Sequence, residues 1–242
     1  MNLIIDIGNT QTKYALFAKE EMLEFCVSHA QDIAHVELWQ EKYPDLNAAI
    51  VSSVQGKPDG LLNILKPKFS KLIFFDQNTP TALENLYESK NTLGYDRLAA
   101  CVGANSIYPN VNLLVIDAGT AITFDFVSNE NQYLGGTISP GLSMRFKALN
   151  SFTKKLPLLE KSDSFDLIGK NTTQAITSGV QNSLLFEIDT YIDRLKIKYP
   201  KAQVFLTGGD SEFIYSKLRN ELVLNKDLLL SGLNAILNYN NS

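Results

Sequence analysis

Apolar residues gather along this chain in short runs, and the spacing inside each run separates strands from helices. NLIID (2–6), KYALF (13–17) and EMLEFCVS (21–28) are short, mostly aliphatic and aromatic, and separated by only a few residues. Connections that short join antiparallel neighbours, so the chain is expected to open on three antiparallel strands. In DIAHVELWQEKYP (32–44) the apolar positions Ile33, Val36, Leu38 and Trp39 are spaced for a helix, and a proline ends the run. NAAIVSSV (47–54) and KLIFF (71–75) read as buried strands with the helical GLLNILKP (60–67) between them. After the loop DQNTPTALEN (76–85), GYDRLAACVGANSIYP (94–109) carries Leu98, Cys101, Val102 and Ile107 at helical spacing and stops at Pro109–Asn110, a natural boundary.

The pattern then restarts. VNLLVIDAGTAITFDFV (111–127) predicts strand, turn and strand, and QYLGGTIS (132–139) a third strand. PGLSMRFKALN (140–150) predicts a helix, 151–170 is polar, and TTQAITSGVQNSLLFEIDTYIDRLKIKYP (172–200) predicts one long helix. AQVFLTGGD (202–210) reads as a buried strand running into a glycine turn, followed by helices over SEFIYSKLRN (211–220) and DLLLSGLNAILNY (227–239). Overlaying IDIGNTQT (5–12) on IDAGTAIT (116–123) aligns Ile, Asp, Gly and the final Thr, each segment lying between two strands. The expectation is an α/β protein of two similar halves, 1–110 and 111–242. Each half has a mixed sheet flanked by helices, and the active site is expected in the cleft between them.

Composition narrows the function. The net charge is −4, which disfavours nonspecific nucleic-acid binding, and the one basic cluster, KPKFSK (66–71), is too short for a nucleic-acid patch. Any anionic ligand must therefore be held by a local device. The two cysteines, Cys26 and Cys101, form no CxxC, and His29 and His35 lie near no zinc-spaced partner. MNLIIDIG has no basic n-region, and no apolar run approaches the roughly 20 residues of a membrane helix. A cytoplasmic protein with reduced thiols, contacting neither membrane nor nucleic acid, is the expectation.

The glycine turns carry the candidate chemistry. In DIGNT (6–10) and DAGT (117–120) a glycine allows a tight turn whose amides can form an anion-binding concavity, and the Asn or Thr adds a donor. An aspartate at the strand end can face a magnesium ion, directly or through water. One such turn is ordinary hairpin chemistry, but two at equivalent places suit a polyphosphate held from both sides. Lys13, on the strand after the first turn, can reach a phosphate as a point charge. GGTISPG (135–141) and TGGD (207–210) add two more glycine turns. Asp125 reads equally as an outward-facing strand residue or a functional one, and Tyr87 and Tyr95 as packing aromatics.

With these residues in view the chain resembles the type III pantothenate kinases of the actin-like and sugar-kinase ATPase superfamily. The resemblance rests on DIGNTQTK (6–13), GYDR (94–97), DAGTAITFD (117–125), GGTISPG (135–141), GKNT (169–172), TGGD (207–210) and GL (232–233), in the family's order over nearly the whole chain. It implies two RNase-H-like halves and ATP-dependent phosphorylation of pantothenate toward coenzyme A. By the resemblance, Asp6, Ile7, Gly8, Asn9, Thr10, Gln11, Thr12 and Lys13 form the first phosphate motif and Thr120 contacts ATP. Asp6 serves Mg2+, and Asp117 holds a monovalent cation, K+ or NH4+. Gly94, Tyr95, Asp96 and Arg97 form the pantothenate motif, with Asp96 as general base and Arg97 facing the substrate carboxylate. Tyr87 and Thr172 line the substrate, and the family works as a homodimer. Two other readings stand beside it: a kinase for another small hydroxy compound, and a non-catalytic accessory or regulatory relative of the same fold.

Overall fold

The computed structural model describes residues 1–29 and 33–241. In chain order the elements are β1 (Asn2–Ile7), β2 (Thr12–Ala18), β3 (Glu21–Ser28), α1 (Ala34–Lys42), β4 (Ala48–Ser53), α2 (Asp59–Leu65), β5 (Lys71–Phe74), β6 (Glu84–Asn85) and α3 (Tyr95–Ile107). They continue with β7 (Leu113–Ala118), β8 (Ala121–Val127), β9 (Gln132–Pro140), α4 (Leu142–Phe152), α5 (Thr172–Lys198), β10 (Gln203–Thr207), α6 (Ser211–Tyr215), β11 (Val223–Leu224) and α7 (Leu228–Tyr239). The sequence places a helix from Asp32, but that residue lies outside the described ones, and α1 is seen from Ala34. The predicted helix over 211–220 is shorter, ending at Tyr215. The polar stretch 153–171 forms neither helix nor strand.

The chain forms two compact units. The first comprises Met1–Asn110, Glu130–Tyr133 and Asp227–Ser242; the second comprises Val111–Asn129 and Leu134–Lys226. The boundary after Asn110 falls where the proline-terminated helix ends. This division differs from the expected halves 1–110 and 111–242 at two places, since Glu130–Tyr133 and α7 fall in the first unit. What holds α7 there is a backbone-level crossing of α3 and α7. A side chain on Gly103 would run into the Leu228 carbonyl, and one on Gly232 into the Ala99 carbonyl. Only glycine permits so close an approach.

The first unit holds a five-stranded sheet in the order β3-β2-β1-β4-β5, with β1, β2 and β3 antiparallel and β4 and β5 parallel to β1. Side chains alternate between its faces. Leu3, Ile5, Ile7, Tyr14, Leu16, Ala49 and Val51 form one face, which packs on Val36 and Trp39 of α1 and on Leu61 and Leu65 of α2. The opposite face, with Ile4, Ala15, Phe17 and Ile50 buried, is the one on which α3 and α7 lie. Strand β6 pairs with Gln132 and Tyr133 of the same unit.

The second unit repeats the opening. β7 and β8 are antiparallel, β10 runs parallel to β7, and β11 parallel to β10. Its core joins Leu114, Ile116, Ala118, Ile122, Phe124, Val204 and Leu206 of one sheet face to Leu142 and Phe146 of α4 and to the apolar stripe of α5. The 27-residue α5 is capped at its start by Asn171, whose side chain accepts from the Gln174 N–H. Buried Gln181 of α5 both donates to the Ser162 carbonyl and accepts from the Ser162 N–H, pinning the irregular segment onto the helix.

Candidate functional site

In the first unit, β1 ends in Asp6 and Ile7, and residues 8–11 form the turn to β2. The Gly8 N–H donates to the Gln11 carbonyl at 3.0 Å. The turn is held from outside by Gln55, whose side-chain amide donates to the Gly8 carbonyl at 2.6 Å, while the Val54 N–H donates to the Ile7 carbonyl. Asn9 and Thr10 are exposed, Gln11 is half-buried and Thr12 is buried. Ile7 points into the core below the sheet, so only its main chain faces the turn.

Register sets the chemistry around Asp6. Lys13 of β2 is its cross-strand partner on one side and Ser52 of β4 on the other. Partners in register project from the same face, so Lys13, Asp6 and Ser52 form a row across three adjacent strands. That face is the one covered by α3, whose first turn carries Asp96. Asp6 is buried, and its Oδ1 has no hydrogen-bond partner among the described residues. Burial pushes its carboxyl up to about 6, nearby Lys13 pulls it back down, and Asp96 raises it further. Two acids and one lysine thus converge where a cation would offset the repulsion between the carboxylates.

The second cluster surrounds Arg97. Gly94 precedes α3 with no side-chain cap, and the Asp96 Oδ1 accepts from the Arg97 N–H at 2.9 Å. A Cβ on Gly94 would come within 2.5 Å of that oxygen, so glycine lets the Asp96 carboxylate fold back over the helix start. Arg97 is buried, its guanidinium 5.8 Å from the centroid of the Tyr87 ring. Tyr87 in turn lies 6.1 Å from the ring of buried Tyr133, and Tyr95 packs on Phe75. The GYDR segment therefore opens α3 without a side-chain cap, and its carboxylate folds back onto the Arg97 N–H. Its arginine, however, is taken into an aromatic wall instead of standing on the surface.

In the second unit Asp117 occupies the place of Asp6, and the following turn is one residue tighter. Asp117 pairs with Thr123, whereas Asp6 pairs with Lys13, and the Gly119 N–H donates to the Ala121 carbonyl. Lys13 and Thr123 are thus structural equivalents, and the ungapped overlay of the two motifs slips by one position after the turn. Gly141 lies so close to this turn that a side chain there would strike the Gly119 and Thr120 carbonyls. Gly208, at φ +96°, lies against Asp117, and any Cβ on it would meet the Asp117 carboxylate. Both glycine turns flagged in the sequence therefore serve to approach DAGT closely. Thr120 is exposed. Asp125 is buried on the same sheet face as Asp117, with Gly136 against it, so it is not an outward-facing strand residue. Thr172 is exposed in the first turn of α5, and Gly169 packs against that turn so tightly that no side chain would fit.

Among the described residues no group of three or more His, Cys, Asp or Glu is arranged to hold a metal ion unaided. A lone buried carboxylate with an orphaned oxygen, as at Asp6, suits magnesium, which keeps most of its waters and takes one or two carboxylates plus substrate phosphates. Sequence reading missed Ser52 and Gln55. Both sit in the VSSVQG run, which carries no glycine-turn signature of its own until Gly56.

Two sheets with matching strand–turn–strand starts, each with an Asp-x-Gly at the first strand end and flanked by helices, define a duplicated actin-like ATPase fold. A solved Listeria monocytogenes protein, described as a candidate N-acetylmannosamine kinase, has this fold: the TM-score is 0.59 at 12% identity, covering 100% of this chain and 99% of that one. The sequence of this chain matches the type III pantothenate kinase family over residues 2–194, and the chain belongs to that family. A type III pantothenate kinase of Bacteroides fragilis is 46% identical over 241 residues, covering 100% of this chain and 99% of its own. One from Porphyromonas gingivalis is 44% identical over 246 residues, covering 99% and 98%. A Campylobacter jejuni structure described as a conserved candidate Baf-family transcriptional activator superposes with a TM-score of 0.62 at 24% identity, over 99% of this chain and 98% of that one, a likeness of fold alone.

Proposed function

We propose that the protein transfers the γ-phosphoryl group of ATP to the primary hydroxyl of pantothenate, giving 4′-phosphopantothenate, the first step toward coenzyme A. Family membership supports the reaction. The observation that carries the residue roles is the juxtaposition of Asp96 with Asp6 and of Arg97 with Tyr87 at the start of one helix. Asp96 accepts the proton of the attacking hydroxyl. An ordinary carboxylate suffices, because negative charge on that oxygen develops late in a loose phosphoryl-transfer transition state. Arg97 binds the pantothenate carboxylate through its planar fork, and Tyr87 both orients the guanidinium and lines the substrate. Lys13 and the turn amides beyond Gly8, whose own N–H donates to the Gln11 carbonyl, counter phosphate charge, and Thr120 contacts the nucleotide. Bound Mg2+ would neutralise phosphate oxygens, with Asp6 as its protein anchor. A monovalent cation, K+ or NH4+, would be held at Asp117.

Thr172 is assigned to the substrate and the protein to a homodimer. Support comes from large apolar side chains left exposed on the second unit, among them Phe152 (90% exposed), Ile168 (76%) and Leu167 (69%). No described helix is long and apolar enough to cross a membrane, and the reaction is assigned to the cytoplasm, with neither Cys26 nor Cys101 in a disulfide. The test is a coupled assay for ADP release with and without pantothenate, in potassium and in sodium. Release that requires pantothenate and is faster in potassium is expected. Release indifferent to pantothenate overturns the assignment, and equal rates in the two salts overturn the cation role of Asp117. Sedimentation at the expected dimer mass tests the assembly.

A further inference from the structure

The row Lys13–Asp6–Ser52 contains a hydroxyl to which the reaction above gives no task. Ser52 is fully buried (0% exposed), and its Oγ has no hydrogen-bond partner among the described residues. Its neighbour Ser53 is accounted for, since the Ser53 Oγ accepts from the Gln55 N–H at 3.1 Å. The residue on the other side, Val51, is accounted for too, since it belongs with Ala49 to the apolar core. Ser52 lies on the other sheet face, in register with Asp6, and the Asp6 Oδ1 is the second buried oxygen there without a partner. Buried polar groups left unsatisfied are rare and costly, and two on adjacent strands, an acceptor beside a donor-acceptor, leave a place for a third polar group. Burial on this face does not itself call for a hydroxyl, since Ile50, two residues earlier on the same face, is apolar and buried.

We propose that Ser52 is a positioning residue of the phosphoryl-transfer site, its hydroxyl and the Asp6 Oδ1 together holding one water of the magnesium that accompanies the nucleotide. The inference rests on the kinase reading and adds to it a residue on β4. A carboxylate alone accepts from such a water but leaves its direction free. A hydroxyl fixed on the next strand supplies a second point and so orients the hydrated ion. Lys13, on the opposite flank of Asp6, is too like-charged to do this and is left to the phosphates.

The readout is metal binding in addition to turnover. Mn2+ replaces Mg2+, a non-hydrolysable ATP analogue replaces ATP, and free Mn2+ is followed by electron paramagnetic resonance with the full-length protein. Ser52→Ala is expected to weaken Mn2+ binding in the presence of the analogue by about 10- to 100-fold, as loss of an outer partner of a metal site does. The variant should lower kcat at fixed Mg2+, with partial recovery at high Mg2+ and an unchanged KM for pantothenate. Ser52→Cys, which keeps the volume but offers a poor donor, should behave like the alanine variant. Wild-type Mn2+ affinity in Ser52→Ala overturns the inference. Full recovery in Ser52→Cys also overturns it, because it would assign Ser52 to packing. If the wild-type protein releases no pantothenate-dependent ADP, the kinase reading fails and this inference with it. If the wild type is active while Ser52→Ala matches it in both readouts, this inference alone fails.

Discussion

Replacing Asp6 by asparagine should disable the enzyme and stabilise it at the same time. Asp6 is buried, and its carboxyl is pushed from 3.8 up to about 6 because removal from water disfavours the ionised form more than Lys13 compensates. The native state therefore holds this proton more tightly than the unfolded chain does. The contribution to stability is complete below the unfolded value, declines as pH rises through about 6, and is gone above it. The gap between 3.8 and about 6 corresponds to about 3 kcal/mol, of which about 2 kcal/mol falls between pH 4.5 and 8. Asp6→Asn cannot ionise and escapes that decline. The variant should thus gain about 2 kcal/mol on the wild type as pH goes from 4.5 to 8, and less only if the amide itself is poorly satisfied. Urea unfolding followed by fluorescence measures this directly, because the single tryptophan, Trp39, lies in the core beneath the same sheet. Parallel stability curves for the two proteins across this range, or a variant that loses ground at pH 8, would refute the reasoning. Phosphorylation of pantothenate by the variant should be slower by at least about 100-fold, since no other acid of the strand row Lys13–Asp6–Ser52 can anchor the metal.

Asp96→Asn should lower kcat by about 10²- to 10⁴-fold while leaving both KM values near wild type, and steady-state kinetics at near-native kcat would remove Asp96 from the role of base. Arg97→Ala should raise the KM for pantothenate by about 10- to 100-fold without altering ATP binding, as expected for loss of a charge-assisted contact; an equal loss of nucleotide affinity by calorimetry would contradict that role. Gly232→Ala forces a methyl against the Ala99 carbonyl, so thermal unfolding should show a destabilisation of about 1–3 kcal/mol and turnover should fall with it. A stable, fully active Gly232→Ala protein would mean that α3 and α7 can move apart at this crossing without cost.

Much of this fold could be read from the chain because its strands are strongly apolar and prolines follow closely on α1, α3 and α5. The three opening strands, the restart at Val111 and the long α5 are all legible in periodicity. Elements of two residues, β6 and β11, leave no periodic trace, since a pattern needs several repeats before it can be distinguished from chance. The allegiance of α7 was hidden for another reason. Its sequence shows an apolar helix with a glycine, but the Ala99 carbonyl that demands that glycine lies far away in the chain. The overlay of the two Asp-x-Gly motifs found the turns yet misaligned the strands beyond them, because hairpin register is set by turn length and the second turn is shorter. For the site, DIGNTQTK and GYDR drew attention to the right strand end and helix start. Register then brought in Ser52, a plain residue inside a plain strand, and burial changed the character of Asp6. Neither register nor burial can be seen in residues taken one at a time.

The crossing of α3 and α7 also bears on how the protein comes into being. In the linear chain the whole second unit intervenes between these two helices, yet the face of the first sheet that carries Asp6, Lys13 and Ser52 is covered by both. The first unit therefore cannot finish folding as it leaves the ribosome. α3 emerges before the second unit, but that side of the sheet stays only partly covered until residues 228–239 have been made and can close on Gly103. Catalytic competence thus comes late in synthesis, and a nascent chain that stalls within the second unit would present an incomplete, apolar surface to chaperones instead of a working half.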